Sequence, residues 1–424
     1  MIKESFKISD GVNLHYIETD KFKTNYFSFN FIAPLSRENA HFNAMIPLIL
    51  MRACEKYPSQ ASINKRLQYL YSGDIGARND SFGEYQIFGF KANMLNDRYT
   101  QGTDVTGETV DLLCEMIFNP YLKNGAFDKE FTKGEKTNLI DTIEAEVNNK
   151  GQYAVKRLKS EMYKDEVFGI SKMGEVEDVK KITEKTLYEA YKNALKNDLI
   201  EIYFVGKTDI SKVVSAFKKR FEGLERTPKA VTPVEIKMTA DTVKEVVDTE
   251  KVNQGKLVLG FRLGYHYSED KYHLIQLFNE VFGGSPTAKL FLNVREKMSL
   301  CYYCRSNVAQ RTGTMLVSSG IESKNKDVAK KAILDQLEMI KNGEITEEEF
   351  DSAKKSIRNG YLAIYDSAEA METWVFFRGL CNISTTPIIE TEKIEKATIE
   401  DVKAVANKIT LDTVYFLKGE DVNE

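Results

Sequence analysis

Histidines are the first residues to test for chemistry, because zinc enzymes draw their ligands from compact sets of His, Cys, Asp and Glu. The chain of 424 residues contains four histidines, namely His15, His41, His266 and His273. No two of them stand four positions apart, which is the spacing that places two imidazoles on one helical face. His266 and His273 would lie about 10.5 Å apart along a helix axis, too far to share one ion. The pattern therefore predicts no histidine-based metal site.

Two short motifs are weaker candidates for chemistry. The segment from Cys301 to Cys304 has the CxxC spacing of redox and zinc sites, but no second CxxC accompanies it. It also lies in a predicted strand, where residues three apart point to opposite faces, so we expect both cysteines to be packing residues. Gly283-Gly284-Ser285 lacks the Gly-Lys-Ser/Thr ending of a phosphate loop. Neither motif by itself indicates a cofactor.

Strand patterns come first among the elements that position these candidate residues. Residues 6–9 and 12–18 alternate around an Asp10-Gly11 turn and predict a hairpin. In residues 26–31 the phenylalanines share one face and the polar residues the other, which predicts a sheet covered on one side. Helical patterns follow at residues 43–55, 61–71 and 107–118, within 127–163, and at 209–221, with a strand at 199–205.

The same order of signals restarts after a stretch that contains Pro228 and Pro233. Four pairs of segments correspond in order: 25–31 with 256–262, 63–90 with 291–318, 124–131 with 342–350, and 200–206 with 413–419. A period of about 220 residues indicates duplicated domains, because solenoid repeats are far shorter. We therefore predict an α+β fold of two homologous domains, residues 1–223 and 243–424, joined by a linker at 224–242.

Composition excludes several classes of function. The chain carries 59 Lys+Arg against 63 Asp+Glu, and this net charge of -4 does not favour nucleic acid binding. The first residues lack the apolar region of a signal peptide, and the longest apolar run, residues 44–51, is shorter than the roughly 20 residues that span a bilayer. Five scattered cysteines agree with a reducing compartment. We expect a cytoplasmic protein with no membrane or nucleic acid partner.

The segment 281–305, VFGGSPTAKLFLNVREKMSLCYYCR, carries a more specific pattern. It resembles the second-domain signature of the M16 (insulinase or pitrilysin) peptidases. The resemblance implies the LuxS/M16 metalloenzyme fold, in which each of two homologous domains packs a mixed or antiparallel sheet against helices. In this family an arginine and a tyrosine of the segment contact bound peptide, and these residues match Arg295 and Tyr302.

Active M16 members bind zinc through H-x-x-E-H on the first helix of the first domain and through a glutamate on a later helix. The equivalent window here is 46–51, and the ligand positions are occupied by Ile46, Ile49 and Leu50. Pro47 also argues against a regular helix at this place. The later helix, residues 135–144, still resembles the family, but its carboxylates alone could not hold zinc. The resemblance therefore implies no catalytic residues, no metal site and no cofactor in this chain.

Together these features resemble the zinc-less subunit of bacterial two-chain M16 proteases. Such a subunit binds peptide and forms half of a proteolytic chamber, while a zinc-bearing sister subunit cleaves the peptide or unfolded polypeptide. Two alternatives remain: an active zinc metalloendopeptidase with atypical ligands, and a purely structural scaffold. Arg295 and Tyr302 also have a purely structural interpretation, in which Arg295 pairs with a carboxylate and the Tyr302 ring is packed.

Overall fold

The computed structural model describes residues 1–419, which form two compact units. Unit 1 comprises Met1–Glu144, Ile170–Pro233 and Ser367–Phe377. Unit 2 comprises Ala145–Gly169, Val234–Asp366 and the chain from Arg378 onward. Each unit thus contains one segment that the other half of the sequence supplies. The continuous boundaries predicted from the sequence, 1–223 and 243–424, do not include this exchange of segments.

The main sheet of unit 1 is mixed. Its strands lie in the order β1-β2-β8-β3-β5-β4, with β2 and β8 parallel and the other neighbours antiparallel. The strands of this unit are β1 Glu4–Ser9, β2 Val12–Glu18, β3 Thr24–Pro34, β4 Asp74–Phe82, β5 Tyr85–Leu95, the short pair β6 Leu122–Lys123 and β7 Ala126–Phe127, and β8 Leu199–Gly206.

The sheet of unit 2 repeats this arrangement. Its strands are β9 Lys244–Glu250, β10 Gly255–Arg262, β11 Cys301–Ala309, β12 Thr314–Ile321 and β13 Thr410–Gly419. They lie in the order β9-β13-β10-β12-β11, with β9 and β13 parallel. This is the order β2-β8-β3-β5-β4 of unit 1 with each strand replaced by its counterpart. The predicted correspondences of 25–31 with 256–262 and of 200–206 with 413–419 are therefore confirmed by the position of each strand.

Helices accompany the sheets, and those near 61–71, 107–118 and 209–221 follow the prediction. Within residues 1–419 the α-helices are α1 Ala40–Leu50, α2 Gln60–Tyr69, α3 Val105–Phe118, α4 Lys129–Ala145, α5 Lys150–Met162, α6 Val176–Lys181, α7 Glu184–Asn197, α8 Ile210–Phe221, α9 Tyr272–Asn279, α10 Lys326–Lys341, α11 Glu347–Ala363, α12 Ala368–Leu380, α13 Pro387–Lys396 and α14 Ile399–Ala406. Of these, α6, α7, α13 and α14 were not predicted. Two π-helical segments, Glu280–Gly284 and Leu290–Lys297, follow α9. None of the helices in this described part of the chain has the length and hydropathy of a membrane-crossing segment.

The expectation that the first sheet is covered on one side is wrong. Every residue of β3 between its two ends is buried, the polar Ser28 and Asn30 included. The reason is the segment Ser367–Phe377, which belongs to unit 1 and carries most of α12. Ser28 Oγ donates a 2.9 Å hydrogen bond to the Glu372 carboxylate on α12, so the polar face of β3 is buried with partners.

In unit 2 the segment Ala145–Gly169 has the same role. Its helix α5 packs Leu158 and Met162 against Val258 and Tyr415 of the sheet. A Cβ atom at Gly260 of β10 would lie 2.7 Å from the Met162 sulfur, so glycine is what allows this close approach. Each sheet is therefore covered by a helix from the other half of the sequence.

Candidate functional site

The three positions that the sequence analysis equated with the H-x-x-E-H motif lie inside an apolar core. Ile46, Ile49 and Leu50 on α1 have exposed fractions of 0%, 3% and 0%. They belong to one hydrophobic cluster that also contains Leu139 and Ile143 of α4. Side chains of this kind hold no lone pair for a metal and exclude the water that a metalloprotease must activate.

Helix α1 itself is regular, which corrects the expectation based on Pro47. The helix runs from Ala40 to Leu50, not from 43 to 55, and Pro47 lies inside it. The backbone N–H of Met51 donates a 3.2 Å hydrogen bond to the Pro47 carbonyl, so the helix continues past the proline. A proline removes one backbone donor, and this loss is tolerated here because α1 ends three residues later and packs a wholly apolar segment into the core.

An ion pair joins the end of α1 to α4. The guanidinium of Arg52 pairs with the carboxylate of Glu135, whose side chain is 9% exposed. A second guanidinium nitrogen of Arg52 donates a 3.0 Å hydrogen bond to Gln60. Two further carboxylates within residues 135–144 of α4, Asp141 and Glu144, are exposed. The buried carboxylate of α4 is therefore neutralised by arginine, a pairing that the sequence analysis missed because no short-range pattern links residues 52 and 135.

Residues 1–419 contain no cluster of three or more His, Cys, Asp and Glu side chains that could hold a metal ion. His15 has polar partners, and His41 packs against an aromatic ring. His15 Nδ1 lies 2.8 Å from Ser5 Oγ, and His15 Nε2 lies 2.7 Å from a Glu201 carboxylate oxygen. His41 is buried against Phe42, with ring centroids 4.2 Å apart, and burial lowers its pKa. The Ser5–His15 contact follows from the β1–β2 register, which a hairpin prediction could have supplied.

Arg295 lies on the π-helical segment Leu290–Lys297. Its guanidinium stacks over the Phe291 ring at 4.5 Å and lies 3.5 Å from the Glu296 carboxylate. The side chain is 37% exposed, so the guanidinium is held from one side and remains open to solvent on another. Ser299, with φ of 53°, then turns the chain directly into β11. This turn brings the helical segment and the strand together.

Tyr302 lies near the start of β11, the edge strand of the second sheet. Cys301 is opposite Ile321 and Tyr303 is opposite Gly320, so Tyr302 is the additional residue of a β-bulge. Its side chain is 66% exposed. Leu292 and Met298 are also exposed, at 36% and 50%. We call the exposed side chains of Leu292, Arg295, Met298 and Tyr302 the 292–302 surface.

The bulge also corrects the expectation for the cysteines. Cys304 is opposite Ser319 and Cys301 is opposite Ile321, and two residues on β12 that are two apart share one face. Both cysteines are accordingly buried, whereas Tyr302 and Arg305 are exposed. Residues three apart thus lie on the same face here, because the additional residue shifts the alternation by one. The two thiols are therefore neighbours on the buried face, and Cys304 lowers the pKa of Cys301.

The comparisons with known proteins agree with this architecture. A family profile described as "Peptidase M16 inactive domain" matches residues 181–357. A protein of Bacillus subtilis (strain 168), "Probable inactive metalloprotease YmfF", is 34% identical over 97% of this chain and 96% of its own length. The chain belongs to the M16 peptidase family.

Two solved structures have the same fold as this M16 chain. A conserved protein from Enterococcus faecalis V583 has a TM-score of 0.92 at 30% identity and covers 99% of each chain. A peptidase M16 inactive domain from Pseudomonas fluorescens has a TM-score of 0.79 at 17% identity, with 99% of each chain covered. These matches confirm the predicted M16-type α+β fold. The likeness of fold extends over 99% of the chain and is not limited to the segment that carries the signature.

Proposed function

We propose that this chain is a non-catalytic M16 subunit, which binds peptide and forms half of a proteolytic chamber with a zinc-bearing sister chain. The observation that carries the proposal is the apolar core at Ile46, Ile49 and Leu50, where an active member would need two imidazoles and a carboxylate. The name of the Bacillus subtilis relative, a probable inactive metalloprotease, supports the same conclusion.

The Arg52–Glu135 pair adds independent support for a silent subunit. A carboxylate of α4 that coordinated zinc would have to be free of competing cations, but Glu135 already neutralises a guanidinium. Replacing the metal by an internal ion pair keeps the buried carboxylate satisfied. The arrangement therefore stabilises the packing of α1 against α4 without any catalytic ion.

Arg295 and Tyr302 are the proposed peptide-binding residues. Arg295 offers a planar, permanently charged donor, oriented by its contact with Phe291. Tyr302 offers a phenolic hydroxyl on an exposed ring. Both groups suit the carbonyl oxygen of a peptide, which accepts hydrogen bonds and would gain negative charge during hydrolysis, for which zinc in the sister subunit would supply the activated water.

The sister chain and the peptide have to cover a partly apolar surface. Leu292 and Met298 precede and follow Arg295 in the sequence and expose apolar side chains, which a peptide or a partner protein would cover. The proposed partner is thus a zinc-bearing M16 chain of similar length, with which this chain forms a heterodimer in the cytoplasm. The substrate class is peptide or unfolded polypeptide.

The test is reconstitution with the sister chain. This chain alone should leave an unfolded, alkylated protein substrate intact and should contain no stoichiometric zinc by elemental analysis. The mixture should elute as a heterodimer from a sizing column and cleave the substrate. Two chains that elute separately at micromolar concentration, with and without peptide, would refute the chamber.

The same experiment separates the two alternatives. About one zinc per chain, with cleavage that a chelator abolishes in the absence of the sister chain, would establish the active metalloendopeptidase. A heterodimer that forms but whose cleavage rate is the same with and without this chain would establish the scaffold.

A further inference from the structure

The bulge in β11 brings together two thiols that the proposed function does not use. Cys301 and Cys304 are 8% and 3% exposed and share the face of the strand that lies toward the interior of unit 2. Ser319 is directly opposite Cys304 on β12. The π-helical segment Leu290–Lys297 is in contact with β11 and carries Arg295. A thiol pair is therefore enclosed between an edge strand and a segment that carries a positive charge.

This environment makes the two sulfurs chemically unequal. The neighbouring Cys304 thiol lowers the pKa of Cys301 to about 7; Ser319 and the Arg295 charge act in the same direction, whereas burial opposes them. The same contact and burial raise the pKa of Cys304 well above its ordinary value. Cys301 is thus partly ionised at neutral pH while its neighbour stays protonated, and these are the attacking and resolving forms of a redox pair.

We propose that Cys301 and Cys304 form an oxidation-sensitive dithiol, which hydrogen peroxide converts to an intrachain disulfide between these two residues. Exposure of 8% at Cys301 leaves access for a molecule as small as peroxide, and the resolving thiol is already in contact. The proposal does not depend on peptide binding, because it concerns only the chemistry of the two sulfurs.

The reaction has two balanced steps. In the first, the Cys301 thiolate attacks one peroxide oxygen, an S–O bond forms, the O–O bond breaks, and hydroxide leaves; sulfur is oxidised to a sulfenic acid and peroxide is reduced. In the second, the Cys304 sulfur attacks the Cys301 sulfur, the S–S bond forms and the S–O bond breaks. The departing hydroxide takes the Cys304 proton and leaves as water.

The remaining cysteines provide internal controls. Cys54, Cys114 and Cys381 are also free and buried. Burial raises the pKa of Cys54, and it raises that of Cys114 to about 12. Thiols without thiolate character react slowly with peroxide, so oxidation of the folded protein should be confined to residues 301 and 304.

Mass spectrometry can test this directly, because Lys297 and Arg305 place both cysteines in one tryptic peptide. The folded full chain is treated with hydrogen peroxide, its free thiols are blocked with N-ethylmaleimide, and it is digested. The expected product is the 298–305 peptide without maleimide and lighter by two hydrogen atoms. Peptides with Cys54, Cys114 and Cys381 should be at least about tenfold less oxidised. Equal oxidation of all five cysteines, or disulfides only between chains, would overturn the proposal.

Two variants and one control assign the roles. Cys304→Ser should halt the reaction at a Cys301 sulfenic acid that dimedone labels, whereas Cys301→Ser should give no dimedone adduct at residue 304. An adduct pattern with these roles reversed would reject the assignment of Cys301 as the attacking thiolate. The wild-type chain unfolded in urea should form the disulfide more slowly than the folded chain. Equal rates would show that the bulge does not promote the reaction and would overturn the proposal. This control needs only the wild-type chain, so it does not depend on whether a variant folds.

Discussion

The buried guanidinium of Arg78 on β4 donates a 3.1 Å hydrogen bond to the carboxylate of Glu372, a residue 294 positions later in the chain. Glu372 is fully buried and also accepts the hydroxyl of Ser28. The Arg78 guanidinium lies 5.0 Å from the ring of Phe376, one turn further along α12. Arg78 also pairs with the 40% exposed Asp80 on its own strand, so α12 supplies the buried counter-charge and the aromatic surface beside it.

Replacing Glu372 tests how much this relationship stabilises unit 1. Glu372→Gln keeps the shape of the side chain but leaves the Arg78 charge without its buried partner, so the free energy of unfolding should fall by about 3 kcal/mol. Urea titration followed by circular dichroism measures it. The matched control is Glu369→Gln on the same helix, because Glu369 is 51% exposed and pairs with Lys91. It should change stability by less than about 1 kcal/mol. Equal effects of the two variants would contradict the buried role of Glu372.

The Arg52–Glu135 pair gives a second prediction about stability. Arg52→Met preserves the length of the side chain and removes the charge, which leaves the Glu135 carboxylate buried without a cation. The loss should be about 1–3 kcal/mol by thermal or urea unfolding. Arg66→Met is the control, since Arg66 pairs with the 40% exposed Glu108 and should contribute about 0–1 kcal/mol. A double variant that also carries Glu135→Gln should recover part of the loss; no recovery would show that the two charges are not coupled.

The 292–302 surface is tested in the reconstituted heterodimer. Arg295→Ala and Tyr302→Phe should leave thermal stability and assembly unchanged, because both side chains are exposed, but should slow cleavage by about 10²-fold or more. The magnitude follows from the loss of a positioned donor to a carbonyl oxygen that gains charge during attack.

Matched controls exist for both changes. Arg305→Ala alters an exposed arginine of the same strand, and Tyr69→Phe alters a tyrosine of similar exposure on α2. Both should cleave at the wild-type rate. An assembled Arg295→Ala complex with full activity would refute the peptide-binding role, and a variant that unfolds at lower temperature would favour the structural interpretation of this arginine.

The pH dependence of thiol alkylation tests the environment of Cys301. Only the thiolate reacts, and the pKa of Cys301 is lowered to about 7, so its rate with iodoacetamide should rise from pH 6 to 8 with a midpoint near 7. Because the Arg295 charge contributes to this lowering, Arg295→Ala should move the midpoint upward. Arg305→Ala should not. A midpoint that stays near the ordinary value for cysteine in the wild-type chain would contradict the described contacts.

Much of the fold was accessible from the sequence because its signals are local. The alternation in β3 and the repeated order of strands are properties of short segments, and the absence of ligands at Ile46, Ile49 and Leu50 depends only on residue identity. The sequence could not predict that α12 covers the second face of β3, because Ser28 and Glu372 are 344 positions apart. The bulge at Tyr302 was not accessible either, since it is defined by the register of β11 against β12 and not by β11 alone.

The exchange of segments between the two units has a consequence for how the protein is made. A ribosome synthesises β1 to β8 before it reaches residue 367, so Ser28, Asn30 and Arg78 emerge long before α12 exists to cover them. In contrast, α5 is already available when the strands it covers are translated. One face of the first sheet therefore stays uncovered until α12 is synthesised. Until then, the nascent chain presents a polar, charged sheet face that water can solvate, which protects the unfinished half from aggregation during translation.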